Sequence, residues 1–474
     1  MIRASLSCLI MSVLLASCGS GERVPDEASP TSERVATETP ATNPTPVTIR
    51  LTPGIEEADS ETNANEIIAD LDALAIPIDS REPGAPSDDI SPFLDLVGDA
   101  NIVGLGEATH GTSEFVQLRV RMIRLLIEEA GFRQIALEAP WTGIEIVNEY
   151  IQGDSDDVQA ARNGLSYFMF RNEEFWAFVE WARAYNATVD DEERIQFIGI
   201  DPQGSAEAGV KIVLDFVATV DPENLGVFED YYEHIRDKSG SSVSSADSQA
   251  AYEMLGDQRD EYVALSSEDE FDYALQASRA IYQAQQIHAV PITERSEGYR
   301  LREEAMAENL EWARQKADSN SRFALWGHNG HVATKYPAHL TDVPPLGGLL
   351  YERHGNDYVS VGLHFASGSF VARSIGGLSD ELTTFEVDSS PEGSFAKLFE
   401  RMESESFMLD LRDLAHASPA GMWLSSPRPV WWIGYSYSPQ LMANAIVEVD
   451  LPAAHDILVF VRETTGIELL DAGQ

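Results

Sequence analysis

The chain has 474 residues, 43% of them hydrophobic, and its 32 Lys and Arg residues against 79 Asp and Glu residues give a net charge of −47. This length and apolar content are sufficient for one large domain or two ordinary ones, each with a hydrophobic core. The strong negative charge excludes nucleic acid and anionic lipid headgroups as attractive partners, and its spread along the chain indicates a heavily hydrated surface.

The first 18 residues have the pattern of a targeting segment rather than of a folded element. Arg3 supplies positive charge, an apolar run extends from Leu6 to Leu15, and the run leads through small residues to Cys18. This order is typical of a bacterial lipoprotein signal, so we expect cleavage before Cys18 and a lipid on its sulfur. An ordinary secretory cleavage near Ala16 is the alternative.

The cysteines and the residues that follow the signal predict an anchored protein with a long tether. Cys8 and Cys18 are the only cysteines, so the mature chain would hold one lipidated cysteine, no disulfide, no thiol nucleophile and no zinc–thiolate site. Residues 19–64 are acidic and rich in Pro, Thr and Ser, which predicts a disordered tether. Gly19 resembles the residue found at this place in lipoproteins of the outer membrane. The expected location is therefore the bacterial cell envelope, with the lipid in the outer membrane and the protein facing the periplasm.

The folded catalytic domain is expected at residues 65–474, where strand and helix patterns alternate. Strands are predicted at Asn101–Leu105, Gln134–Glu138, Ile195–Ile200, Arg322–Trp326, Tyr358–Leu363, Phe370–Ser374, Pro429–Ile433 and Ile457–Val461. Helices are predicted at Glu66–Ala75, Ser113–Ala130, Gly143–Gln152, Val158–Asn163 and Asn172–Tyr185, and residues 206–318 have the pattern of an almost entirely helical insertion. Since early and late strands must share one sheet, we predict an α/β fold with a mostly parallel central sheet, flanking helices and an inserted all-helical subdomain.

Ionisable or amide side chains follow four of the predicted strands. They are Glu107 and His110, Glu138, Asp201 and Gln203, and His328 and His331. Any one of them has an ordinary structural explanation as a helix cap or a solvated loop residue. Because the carboxyl ends of parallel strands meet at one edge of a sheet, however, we expect these groups to converge on one cleft.

Sequence motifs of several common enzyme classes are missing from the chain. It contains no Gly-x-Ser-x-Gly turn, no Gly-x-x-x-x-Gly-Lys-Ser/Thr phosphate loop and no dinucleotide-binding Gly-x-Gly-x-x-Gly after a strand. We therefore expect no cofactor and no resident metal. The remaining groups favour a water nucleophile activated by a side-chain base, for which histidine is best suited near neutral pH.

Taken together, seven motifs resemble the erythromycin esterase family. They are Gly104-x-Gly106-Glu107-x-Thr109-His110-Gly111, Glu114-Phe115, Leu137-Glu138, Trp181-x-Arg183-x-Tyr185-Asn186, Gly199-x-Asp201-x-Gln203, Arg302-x-x-x-Met306-Ala307-x-Asn309 and Trp326-x-His328-Asn329-x-His331-Val332. The resemblance extends from about Pro92 to near Thr465. It implies a hydrolase that opens the macrocyclic ester of erythromycin-like lactones, with a helical part around a deep cleft.

The resemblance also implies roles for individual residues. His110 resembles the general base, which takes a proton from the water that attacks the ester carbonyl. The other residues that resemble catalytic groups are Glu107, Glu138, His328, His331 and Arg302. Arg302 or a protonated His331 would stabilise the oxyanion, and Glu138 would hold the water or fix the tautomer of His110. Substrate contacts are predicted for Asp201, Gln203, Trp141 and Asn329.

Two other interpretations remain at this point. The same carboxylates and imidazoles have the oxygen and nitrogen atoms to bind a divalent ion, as in a metal-dependent hydrolase or peptidase. The tether and lipid also fit a non-enzymatic binding lipoprotein of the envelope. The carboxylate partner of His110, the natural ester and the oligomeric state are left open by the sequence.

Overall fold

The structure, a computed structural model, describes residues 61–236, 245–337, 343–375, 381–412, 414 and 418–470. The predicted signal, Cys18 and residues 19–60 of the predicted tether lie outside these ranges. Residues 61–64, assigned to the tether from the sequence, instead begin helix α1 (Glu61–Leu74). This helix forms because Ile67 and Leu71, one turn apart, are both buried against the rest of the fold.

Two sheets contain the strands of the described residues. The strands are β1 (Ile76–Pro77), β2 (Ile102–Leu105), β3 (Phe132–Pro140), β4 (Gln196–Asp201), β5 (Arg322–Trp326), β6 (Tyr358–Ser374), β7 (Leu382–Val387), β8 (Ser406–Asp410), β9 (Arg428–Trp431), β10 (Ser436–Tyr437), β11 (Ile446–Val449) and β12 (Ile457–Thr464). The main sheet has the order β1-β8-β12-β6-β2-β5-β3-β4, and β7 and β10 also pair with β6.

The centre of the main sheet is parallel, β1 and β8 lie at one edge of it, and β7 pairs with the C-terminal part of β6. Strands β12, β6, β2, β5, β3 and β4 pair in parallel, whereas β1, β8 and β7 pair antiparallel. Every residue of β2 is buried, as expected for a central strand that helices cover on both faces. The predicted α/β fold with a mostly parallel sheet is confirmed.

Helices flank this sheet and fill the segment between β4 and β5. They are α2 (Pro92–Val97), α3 (Ser113–Ala130), α4 (Trp141–Gln152), α5 (Val158–Gly164), α6 (Glu173–Asn186), α7 (Ala206–Val220), α8 (Leu225–Tyr231), α9 (Glu233–Arg236), α10 (Ser245–Asp257), α11 (Arg259–Leu265), α12 (Glu268–Ala289), α13 (Arg295–Lys316), α14 (Asn329–Val332), α15 (Leu346–His354), α16 (Phe395–Phe399), α17 (Pro419–Leu424) and α18 (Leu451–Ala454). Helices α7 to α12 share a hydrophobic cluster that includes Val213, Phe228 and Phe271. Within the described ranges, no helix has an apolar stretch sufficient to cross a bilayer.

Several strands differ from the sequence predictions. The strands expected at Tyr358–Leu363 and Phe370–Ser374 are one continuous strand, β6, because the residues between them also pair with β12. The strand expected at Pro429–Ile433 does not belong to the main sheet. It is β9, which pairs with β11 in a separate sheet, consistent with a proline that lacks a backbone donor. Strand β8, which pairs with β12, was not predicted, and neither were the strands β1, β7, β10 and β11.

Candidate active site

The carboxyl ends of β2, β5, β3 and β4 are neighbours in the main sheet, and each of them contributes ionisable side chains to one cluster. The rings of His110 and His328 have centroids 5.1 Å apart. His331 Nε2 lies 3.0 Å from an oxygen of Glu138. All four side chains are buried, each 5% exposed or less. The predicted meeting of distant acids and imidazoles is therefore present in the structure.

His110 is paired with Glu107, which lies three residues earlier in the loop after β2. Its Nδ1 atom lies 2.8 Å from Glu107 Oε1. Arg119 of α3 binds the second oxygen of Glu107, and its guanidinium stacks 3.9 Å from the ring centroid of Trp326. Burial lowers the pKa of Arg119 to about 10, although Glu107 opposes this shift, so the guanidinium remains charged at neutral pH. When Nδ1 donates to Glu107, the lone pair of His110 is on Nε2.

The loop that carries this pair approaches neighbouring chain segments too closely for side chains at its glycines. A Cβ atom at Gly106 would lie 2.1 Å from Oδ1 of Asn329, and one at Gly111 would lie 1.9 Å from the carbonyl of Val371. Asn329 is fully buried and binds both the N–H and the carbonyl of Leu363 through its side chain. Its amide therefore connects the first residue of α14 to the backbone of β6, and the predicted substrate contact of Asn329 is not supported by this position.

Glu138 is the electrostatic centre of the cluster. Its Oε1 atom accepts from Arg302 Nη2 at 2.9 Å and lies close to His331, while its Oε2 atom accepts from the backbone N–H of His328 at 2.8 Å. Burial opposes ionisation of this carboxyl, but His331, Arg302 and His110 outweigh it and hold the pKa of Glu138 well below its usual value. Glu138 is consequently ionised and has both oxygens occupied.

Arg302 of α13 joins the helical segment to the ends of β3 and β4. Its Nη2 atom donates to Asp201 Oδ2 at 2.6 Å as well as to Glu138. The other oxygen of Asp201 accepts the backbone N–H of Gln203 at 3.0 Å. Asp201 is fully buried, whereas Gln203 is partly exposed and joins this network through its backbone. Asp201 thus positions Arg302 rather than facing open space.

His331 lies between two carboxylates, and one of them was not predicted. Its Nδ1 atom is 2.6 Å from Oε1 of Glu303, which is fully buried next to Arg302 on α13. Burial lowers the pKa of His331, but Glu138 and Glu303 outweigh burial and raise it to about 9. His331 is therefore an imidazolium at neutral pH. Nothing in the sequence distinguishes Glu303 from its neighbour Glu304, which has the same side chain and is partly exposed in the structure.

His328, in contrast to His331, is a neutral imidazole. Its Nδ1 atom accepts from the backbone N–H of Gly330 at 3.0 Å, which places the proton of the neutral ring on Nε2. Burial, with His110 nearby, holds the pKa of His328 well below its usual value. Nε2 is buried near the carbonyl of Ala108, with no hydrogen bond of ordinary geometry in the described residues. The ring of Trp432 packs edge-on against His328, with centroids 5.2 Å apart.

Trp141 does not join the imidazoles. It begins α4 and is buried in the hydrophobic cluster of the helical segment, where its ring packs 5.0 Å from Tyr273 and 6.1 Å from Trp312. Its adjacency to strand β3 in the sequence suggested a place in the cleft, but its side chain is directed away from that edge into a core. The predicted substrate contact of Trp141 is therefore not supported by its position.

Two of the residues considered as metal ligands, Glu138 and His331, lie against a guanidinium. Arg302 Nη1 lies 3.1 Å from His331 Nε2, and Nη2 of the same group donates to Glu138. In the part of the chain that the structure describes, no group of three or more His, Cys, Asp or Glu side chains has the arrangement of a metal site. A positive side chain at this place repels a divalent cation.

The carboxyl edge of the parallel strands thus gathers a carboxylate-bound imidazole, a neutral imidazole and a buried arginine, at the place where open α/β sheets bind their ligands. The family model described as Erythromycin esterase matches residues 127–464. This chain belongs to the erythromycin esterase family, as its motifs predicted.

Relatives and solved structures agree with this membership. The chain is 28% identical over 329 residues to erythromycin esterase type II of Escherichia coli, covering 63% of this chain and 76% of that protein. It is 21% identical over 394 residues to a protein of Bacillus subtilis (strain 168) named as a hydrolase, YbfO, covering 77% and 85% of the two chains. A crystal structure named as a succinoglycan biosynthesis protein is 25% identical, with a TM-score of 0.74 over 87% of this chain and 100% of that one. Erythromycin esterase EreC, solved as a mutant in its open conformation, shares the fold at 19% identity, with a TM-score of 0.61 over 82% of this chain and 97% of that one.

Proposed function

We propose that this chain hydrolyses a carboxylic ester, with a lactone ring as the first substrate class, by attack of a water molecule that His110 deprotonates. One observation carries the proposal: His110 Nδ1 lies 2.8 Å from Glu107 Oε1. That contact directs the N–H of the neutral ring toward the carboxylate and leaves Nε2 as a base. Membership of the erythromycin esterase family supports hydrolysis as the reaction class.

The steps follow from the charge state of each group. Water gives a proton to His110 Nε2 as its oxygen bonds to the ester carbonyl carbon. The resulting oxyanion receives the N–H of neutral His328. The indole N–H of Trp432, which has no hydrogen-bond partner among the described residues, is a second buried donor on a ring that packs against His328. Losing one such donor typically costs about 3 kcal/mol of barrier. The tetrahedral intermediate then collapses, the C–O bond breaks, and the alkoxide takes the proton from His110.

The roles expected for three other groups change in this proposal. Arg302 and His331 were expected to bind the oxyanion, but Arg302 donates to Glu138 and Asp201, and both ring nitrogens of His331 lie within 3.0 Å of carboxylate oxygens. Their positive charges act instead by keeping Glu138 ionised. Glu138, in turn, receives the backbone N–H of His328 and so orients the loop that presents this imidazole. Glu138 was expected to fix the tautomer of His110, a task that Glu107 performs here.

A substrate screen tests the reaction directly. Erythromycin is the first compound to test because the Escherichia coli relative is named an erythromycin esterase, and smaller lactones and linear esters extend the series. Each compound is incubated with the protein in ¹⁸O-labelled water and examined by mass spectrometry, with and without a chelator. The expected result is the gain of one labelled water, unaffected by the chelator. Activity that depends on a divalent metal would instead favour the metallohydrolase, and binding without turnover would favour the binding lipoprotein.

We further propose that Cys18 carries a lipid that anchors the protein in the envelope, in the outer membrane facing the periplasm. The proposal is supported by the charged start, the apolar run and the small residues before Cys18. Replacement Cys18→Ser should release the protein from the membrane fraction. The matched change Cys8→Ser should leave it there, and a membrane-bound Cys18→Ser variant would contradict the anchor.

A further inference from the structure

We infer that Glu303 is a positioning residue of the proposed ester hydrolase, which fixes the orientation and the positive charge of His331. The inference rests on the function proposed above. The Glu303 side chain is fully buried, and its Oε1 atom lies 2.6 Å from His331 Nδ1. The opposite ring nitrogen, Nε2, lies 3.0 Å from Oε1 of Glu138. Both nitrogens of one buried ring therefore lie within 3.0 Å of a carboxylate oxygen, which favours the imidazolium, while the Nδ1–Oε1 approach is an ion-pair contact without the geometry of a hydrogen bond.

Glu303 is itself held in place from the other side. Its Oε2 atom accepts the backbone N–H of Leu346 at 2.6 Å, and Leu346 is the first residue of α15. A carboxylate at this end of a helix is stabilised by the backbone donors of the first turn. Tyr299, one turn earlier on α13, stacks on the His331 ring with centroids 6.0 Å apart. The imidazole is thereby confined at both nitrogens and on one face.

The positive charge of Arg302 opposes a positive charge on His331, so a second carboxylate, Glu303, is needed to keep His331 protonated. Arg302 Nη1 lies 3.1 Å from His331 Nε2, so two cations share the carboxylate of Glu138. The groups that act on the charge of His331 are the two carboxylates, which favour it, and Arg302, which opposes it together with burial. If Glu303 loses its charge, Arg302 and burial act against Glu138 alone. His331 then loses its proton at a lower pH, and Glu138 loses one of the charges that keep it ionised.

The consequence reaches the reaction through contacts that are all present in the structure. His331 acts on Glu138, and Glu138 accepts the backbone N–H of His328, the proposed oxyanion donor. Glu303 touches none of the reacting atoms in this scheme. It connects the helical segment, through α13, to the loop after β5, so the charge of one helical residue sets the state of a site built on the sheet.

Three variants test the inference. Glu303→Gln keeps the shape and removes the charge, and Glu303→Asp keeps the charge. Glu308→Gln removes an exposed carboxylate of the same helix that pairs with Arg279 at 2.9 Å. The kcat and KM of the best ester are measured from about pH 6 to 10. We expect the alkaline limb of kcat in Glu303→Gln to move down by about one pH unit or more, a tenfold change in the charged fraction, with KM nearly unchanged. Glu303→Asp should retain much of the limb, and Glu308→Gln should match the wild type.

A titration that needs no substrate separates this inference from the proposed function. The histidine NMR signals of the wild type and of Glu303→Gln are followed across the same pH range, with His331→Gln used to assign the His331 signal. A lower titration midpoint of His331 in Glu303→Gln is the expected result. An unchanged midpoint, or a kcat loss of equal size at every pH, would overturn the inference. If no ester is hydrolysed, the proposed function fails, while the titration still decides the role of Glu303.

Discussion

His110 Nδ1 lies 2.8 Å from Oε1 of Glu107, and the other oxygen of Glu107 is bound by a guanidinium that is itself buried against an indole ring. The sequence left open which carboxylate partners His110, and this contact assigns it to Glu107. The base is thus oriented by a carboxylate that is already neutralised by Arg119. A charged pair buried behind an imidazole fixes its tautomer without adding net charge to the site.

Removal of Arg119 should destabilise the fold. Arg119→Met leaves Glu107 as a buried carboxylate without its guanidinium partner, so we expect the free energy of unfolding to fall by about 3 kcal/mol or more. Urea unfolding at neutral pH measures this loss. The double variant Glu107→Gln/Arg119→Met removes both charges and should lose less than the sum of the two single variants. Strict additivity would contradict a direct pair.

The stability of the protein should fall on the alkaline side because of His331. Its pKa in the folded state is about 9, above the ordinary 6.5, so the folded state holds this proton more tightly than the unfolded chain does. The stabilisation is fully present below pH 6.5 and is lost as the pH rises through 9; it is on the order of 3 kcal/mol. Urea unfolding at several pH values should show a weaker alkaline loss in His331→Gln. An equal loss in both proteins would be inconsistent with a charged His331.

A second pair of histidines should destabilise the protein in acid. His364 and His455 are buried with ring centroids 6.0 Å apart, and burial lowers the pKa of His364 to about 4. Between pH 6.5 and 4 the histidine is protonated in the unfolded chain but not in the folded protein, so stability is lost as the pH falls through this window. His364→Gln should lose less stability than the wild type between pH 7 and 5. The exposed His288→Gln serves as the control and should lose as much stability as the wild type. A loss in His364→Gln equal to that of the wild type would refute the lowered pKa of His364.

Replacement of two tryptophans should distinguish a residue that packs in a core from a residue that takes part in catalysis. Trp141 is buried among Tyr273 and Trp312, so Trp141→Phe should lower the free energy of unfolding by about 1 kcal/mol and leave KM nearly unchanged. Trp432 packs on His328, and Trp432→Phe removes its indole N–H, so kcat should fall. Steady-state kinetics and thermal unfolding of both variants give the comparison. A KM increase confined to Trp141→Phe would restore the substrate contact first expected for Trp141.

Local patterns predicted the elements that depend on neighbouring residues. Helix α3 begins and ends as expected, because its apolar positions repeat with helical spacing and Gly131 ends it in a left-handed conformation with φ of 71°. Strand pairing depends on residues far apart in the chain. The placement of β9 in a second sheet and the continuity of β6 therefore required the structure.

In the site, too, some residues could be predicted from the sequence and others only from the tertiary structure. The strand-end rule brought Glu107, Glu138 and Asp201 into one prediction because parallel strands share an edge. Arg119 and Glu303 were missed because each lies on a helix, where a charged residue normally faces solvent and only the tertiary contacts reveal that it is buried. Asn329 was placed on the substrate side from its motif, whereas its amide binds the backbone of Leu363.

The most direct test of the central claim is the rate of ester hydrolysis by His110→Ala, measured beside His288→Ala as a matched change of an exposed histidine. The account predicts that His110→Ala loses about a hundredfold or more in kcat, as for other general bases, while its circular dichroism and thermal unfolding show a folded protein. His288→Ala should hydrolyse the ester at the wild-type rate. Turnover by folded His110→Ala at the wild-type rate would contradict the account.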